Sequence, residues 1–156
     1  MAKDLTISGT TFSYPENRED PGWGEEATAW AEAVTEVLSN TFGTGDILQT
    51  SATIGNNQTS PTNVIGMVFD PTVVRGAVCE ISVYRVTDEE EKAQTSTIYL
   101  TYLTEATTWD IVVAGGSDAG ITFSITSIGQ VQYTTDEMAG NDYSGVIKFR
   151  ARSLII

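Results

Sequence analysis

Residues 75–87 read Arg75-Gly76-Ala77-Val78-Cys79-Glu80-Ile81-Ser82-Val83-Tyr84-Arg85-Val86-Thr87, and this stretch decides the class of fold. Cys79, Ile81 and Val83 fall on one face and Glu80, Ser82 and Tyr84 on the other, the two-residue period of a strand with one buried side. The same period returns in Ile121, Phe123 and Ile125, and again in Ile147, Phe149 and Ala151, with Lys148, Arg150 and Arg152 opposite the last set. Apolar faces of this kind are buried by packing two sheets together, so the pattern predicts an antiparallel β-sandwich or barrel-like domain.

Outward from that segment, β-branched residues and turn signals recur at the spacing of short antiparallel strands. Strands are predicted over residues 46–54, 63–69, 75–87, 95–103, 108–113, 121–125, 130–133 and 143–156. The intervening turns are Gly55-Asn56-Asn57, Asp70-Pro71, a charged tip from Asp88 to Lys92, Gly115-Gly116-Ser117-Asp118 and Gly140-Asn141-Asp142, all rich in residues that favour reversals.

The first 45 residues differ in kind. Leu5 to Ser8 and Thr11 to Tyr14 alternate like a half-exposed strand, and Pro15 ends it. A loop rich in Pro, Gly and charge follows, and Asp20-Pro21 has the form of a helix entry. From Glu25 onward, Ala27, Trp30, Ala31, Val34, Val37 and Leu38 recur at three- and four-residue spacing, the stripe of one amphipathic helix that Gly43 stops. The expected organisation is an N-terminal docking segment, residues 1–45, and an antiparallel β domain, residues 46–156.

Composition narrows the function by exclusion. The chain has no histidine, which removes Ser–His–Asp and Cys–His catalysis and histidine-ligated metals together. Cys79 is its single cysteine, so a multi-cysteine metal site within one chain is ruled out, and apolar neighbours mark it as a core thiol. Gly43-Thr44-Gly45 follows a helix and precedes a strand, the reverse of a phosphate-binding turn. A net charge of −13 opposes nucleic-acid binding, and no apolar run approaches the length of a membrane span. No secretory h-region follows Met1, so the expectation is a chain that stays in the cytoplasm unless it leaves within a larger particle. Acidic residues 88–91 read as a solvated tip, and Asp118 and Asp142 as turn residues before calcium ligands. No enzyme, cofactor or metal is expected, so the chain works by binding or by assembly.

Several stretches carry a resemblance: Ser51-Ala52-Thr53-Ile54, Asn63-Val64-Ile65-Gly66, Val83-Tyr84-Arg85, Ile98-Tyr99-Leu100-Thr101-Tyr102, Ala106-Thr107-Thr108-Trp109, Asp118 to Ile125, Gly129 to Tyr133 and Ser144 to Phe149. Together they resemble a β-rich domain of tail-fibre-like and other virion proteins of tailed bacteriophages, and Pro21 to Glu26 with its helix is similar to N-terminal segments of the same class. The resemblance implies a virion component assembled in the host cytoplasm as a homo-oligomer, commonly a trimer, on other proteins of the tail or head. It carries over no functional residue. The length suits an adaptor, a fibre-base subunit or a capsid decoration protein.

Within that expectation Trp23, Trp30, Val34 and Val37 are the candidate interface anchors, because buried aromatic and aliphatic groups dominate association. Lys148, Arg150 and Arg152 form a candidate polar contact face, suited either to a carboxylate-rich partner or to guarding an edge strand. The competing reading is a carbohydrate-binding module that meets a host surface glycan through Trp109, Tyr99 or Tyr102.

Overall fold

A computed structural model describes residues 3–7, 10–14, 27–35, 43 and 45–155. The chain divides into two compact units, Met1–Gly43 and Thr44–Ile156. In the first unit, β1 (Lys3–Ile7) and β2 (Thr10–Tyr14) pair antiparallel with Ile7 opposite Thr10. The alternation that reads as one strand is therefore a hairpin, with only Ser8 and Gly9 between the strands in sequence. Helix α1 is described over residues 27–35.

The second unit is an antiparallel sandwich. One sheet has the order β3-β10-β5-β6-β7, from Ile47–Thr53, Ser144–Ile155, Val74–Val86, Glu91–Leu103 and Thr108–Ala114. The other has the order β4-β9-β8, from Thr62–Val68, Gln130–Thr135 and Ile121–Ile125. The inward face of the larger sheet carries Ala77, Cys79, Ile81 and Val83 on β5, Ile147, Phe149 and Ala151 on β10, and Ile98 and Leu100 on β6. Val64, Met67, Phe123, Val131 and Tyr133 close the core from the smaller sheet. Burial pushes the Cys79 thiol up to about 12.

Three features depart from simple alternation. β6 begins at Glu91, so Glu91 and Lys92 extend the ladder and the tip contracts to residues 87–90. Thr87 makes that tight: its amide donates to the Glu90 carbonyl at 2.8 Å, and its hydroxyl oxygen accepts from the Glu90 amide at 2.9 Å. In β4 the register jumps from Asn63 opposite Gln132 to Val68 opposite Gln130. Gly66 takes a φ of +82° within this bulge, and the Gln130 side-chain amide donates to the Val64 and Met67 carbonyls at 3.0 and 3.1 Å. The bulge turns both Val64 and Met67 inward and leaves Ile65 in solvent. Finally, β10 is an interior strand, paired with β3 on one side and β5 on the other. Lys148, Arg150 and Arg152 therefore guard no edge.

At the far end of β5 the inward period continues one step beyond Val83 and reaches Arg85, which is 0% exposed. Its guanidinium spends all five N–H donors. Nη1 donates to the Ala119 and Gly120 carbonyls at 2.7 and 2.9 Å, Nη2 to Asn56 Oδ1 at 3.1 Å and to the Asp136 carbonyl at 2.5 Å, and Nε to the Tyr143 hydroxyl at 3.2 Å. Gly120, with φ +65°, lets the chain come this close, since a Cβ there would stand 2.9 Å from Nη1. Asn56 Oδ1 also accepts from the Met138 amide at 2.9 Å, and the Tyr143 hydroxyl donates to the Gly55 carbonyl at 3.0 Å. One side chain thus joins the loops at 55–58, 115–120 and 136–143.

Arg85→Met should destabilise the fold by about 3–5 kcal/mol, the scale for breaking a buried charged network, because it removes all five hydrogen bonds that tie the three loops to β5, two of them to the buried Ala119 and Gly120 carbonyls. Arg85→Lys should recover only part, since an ammonium has three donors and no fork. Urea unfolding checks both; a loss under about 1 kcal/mol for Arg85→Met would remove the network from the stabilising account. Cys79 gives a second test. A rise from 9.0 to about 12 cuts the thiolate about a thousandfold before access is counted, so Ellman's reagent at pH 8 should label the native chain only as fast as it unfolds. Rapid stoichiometric labelling without denaturant would place Cys79 off the inner face.

Candidate assembly surfaces

The helix anchors lie in the first unit. Trp30 stays 38% exposed and Val34 is half-buried, while Thr28, Ala29, Ala31 and Glu32 face solvent. Thr35 donates its hydroxyl back to the Ala31 carbonyl at 2.7 Å. Trp30 and Val34, four residues apart, share a helix face. Trp23 and Val37 lie outside the described residues.

The outer face of the larger sheet is the other broad surface. The registers place Lys148, Ser82 and Thr95 in one cross-strand row, Arg150, Glu80, Thr97 and Ala114 in the next, and Arg152, Val78, Tyr99 and Val112 in the third. Arg150 is already engaged, its Nε and Nη2 both 2.5 Å from Glu80 Oε2. The pair is exposed, which keeps its contribution small. The third row is apolar over three strands, and Leu154 extends it one step along β10, all four side chains being exposed.

Exposed apolar residues gather toward one end of the strands, where Asp46, Asp70 and Glu105 also lie, and a larger acidic group gathers toward the other. The end carrying the start of β3 and the end of β10 exposes Leu48, Val68, Leu103, Ile128, Leu154 and Ile155. Here a cleft of about 580 Å³ is lined by Val68, Phe69, Pro71, Val73, Val74 and Ile128. Asp70 at its rim accepts from the Thr72 hydroxyl at 2.7 Å and the Thr72 amide at 2.8 Å, which holds its carboxyl below the usual carboxylate range. The opposite end carries Asp88, Glu89, Glu90, Asp118, Asp136, Glu137 and Asp142 around the Arg85 network. Asp118 Oδ1 accepts from the Gly120 amide at 2.7 Å, and Asp88 Oδ1 from the Asn141 amide at 2.5 Å, so both carboxylates brace turns. No cluster of metal-ligating side chains occurs among the described residues.

The aromatic candidates for stacking on sugar part company. Trp109 is 6% exposed, packed against Phe69 and Tyr102 with ring centroids 6.3 and 5.2 Å away, and its ring offers no open face. Tyr102 is half-buried with the Arg75 guanidinium 5.9 Å over its ring. Tyr99 alone of the three is on the outer face. Local motifs do not single out Arg85, Asn56 and Gln130, whose side chains bond several loops and strands together, although Arg85 continues the inward set of Cys79, Ile81 and Val83.

No helix among the described residues is long and apolar enough to cross a membrane. Neither a family model nor a curated protein matches the sequence. Among solved structures, the tailspike protein of Acinetobacter phage vB_ApiP_P1 is similar over 68% of this chain with a TM-score of 0.47 and 10% identity, and the chain spans 22% of that tailspike's length.

Proposed function

We propose that this chain is a structural subunit of a tailed-bacteriophage virion, a tail-fibre-like, adaptor or fibre-base component that acts as a homo-oligomer, a trimer, seated on another virion protein. The observation that carries the reading is the distribution of apolar surface. An exposed tryptophan on α1 and an apolar row across Val78, Tyr99 and Val112 are features of chains that bury surface against other chains. The sequence resemblance to tail-fibre-like virion proteins supplies the kind of assembly. Trp30 and Val34 are the anchors of the trimer contact.

Replacing Trp30 and Val34 together by Asp should lower the assembly's mass threefold in multi-angle light scattering while the β-sheet circular dichroism and melting of the second unit persist. An assembly whose mass does not change refutes the assignment of these anchors.

A further inference from the structure

We infer that β7 is a self-pairing edge, and that a second copy of this chain adds its own β7 antiparallel to it, continuing the five-stranded sheet across a two-fold axis. Among the described residues β7 bonds only to β6, and Thr108–Ala114 contains no proline, lysine or arginine, the residues that commonly guard an edge. Val112 and Val113 point to opposite faces of the sheet and are 53% and 42% exposed, so neither layer covers the end of the strand.

The backbone fixes the register. The Ile111 amide donates to the side chain of its neighbour, Asp110 Oδ1, at 3.1 Å, as an amide turned away from β6 does. The two-residue period then turns the peptide groups of Trp109, Ile111 and Val113 outward and those of Asp110 and Val112 toward β6. An antiparallel second copy satisfies all three outward groups when Ile111 lies opposite the second copy's Ile111 and Val113 opposite its Trp109. In that register Asp110 faces the second copy's Val112, so a chain of net charge −13 meets itself with no like charges opposed. Both inner faces also fall on the same side of the joined sheet.

The other edge does not fit this partner. The Ile54 amide donates to the Gly145 carbonyl at 3.0 Å, so on β3 the groups of Gln49, Ser51 and Thr53 point outward. Pairing them antiparallel with β7 would set exposed Ser51 and Thr53 beside the inward-facing Ile111 and Val113, turning one sandwich over. A two-fold β7 contact is separate from the contact proposed for Trp30 and Val34, and the two differ in the factor by which their loss lowers the mass.

The test uses the full chain in sedimentation velocity at matched concentrations. Val112→Asp sets two like-charged pairs against Asp110 and should halve the mass of the assembly; Val112→Lys faces the same carboxylates and should leave the mass at the wild-type value. Val113→Pro removes an outward N–H without touching the β6 ladder and should also halve it. An unchanged mass in folded Val112→Asp overturns the proposal, as does an equal fall in Val112→Asp and Val112→Lys. Should Val112→Asp fail to fold, an unchanged mass in Val113→Pro overturns it.

Discussion

A guanidinium with no water around it has to be given a partner for every N–H, and Arg85 obtains those partners by drawing three loops onto the end of β5. Four of the five acceptors are uncharged carbonyl or amide oxygens and the fifth is a phenol, so the site holds a cation by oriented dipoles. Lysine has neither the reach nor the donor count to do this. Because β5 is paired along its length on both sides, the anchor from which the loops hang is the most constrained strand of the sheet. The rigidity of the acidic end is thus inherited from the sheet's centre.

The same centrality shapes the surfaces. With β10 and β5 interior, the cations on β10 sit in mid-sheet, where they order a polar field around the apolar third row and have no edge to protect. Sheet edges fall instead to β3 and β7, which differ in composition and in which peptide groups point outward. A five-stranded layer over a three-stranded one also leaves the C-terminal end of β7 outside the packed zone, which accounts for Val113 being exposed although its cross-strand partner Ile98 is fully buried.

How much of this was written in the sequence depends on whether local period or long-range pairing decides the matter. Cys79, Ile81, Val83, Ile147, Phe149 and Ala151 were legible as an inner face because alternation is local and both faces of their strands have contrasting environments. The same rule applied without exception reads Arg85 correctly, but the polarity of arginine argues against following it inward. In β4, alternation from Val64 would carry Gly66 and Val68 inward; the bulge at Gly66 substitutes Met67, and the device that permits it is an amide from Gln130, remote in sequence. Strand order is the least local property of all: nothing near Lys148 indicates that β3 returns to cover β10. Of the proposed helix anchors, Trp30 and Val34 can be placed on a common face, since a three- to four-residue period is again local.

Within the second unit, the acidic end and the exposed apolar end are far enough apart for solvent ions to screen one from the other. Strands of β5's 13 residues run about 40 Å at roughly 3.3 Å per residue, so charges gathered at the Arg85 end lie several Debye lengths, each about 8–10 Å, from the apolar end. Screening over that distance leaves the apolar end and the third row nearly indifferent to the acidic cluster. β7 lies between the two, and its single acid, Asp110, already accepts from the Ile111 amide. The acidic end of the second unit is therefore set away from its exposed apolar end and from the third row. That acidic end is also the one whose loops the buried arginine holds, so its carboxylates are fixed to a frame in which Arg85, fully buried, lies directly beneath them.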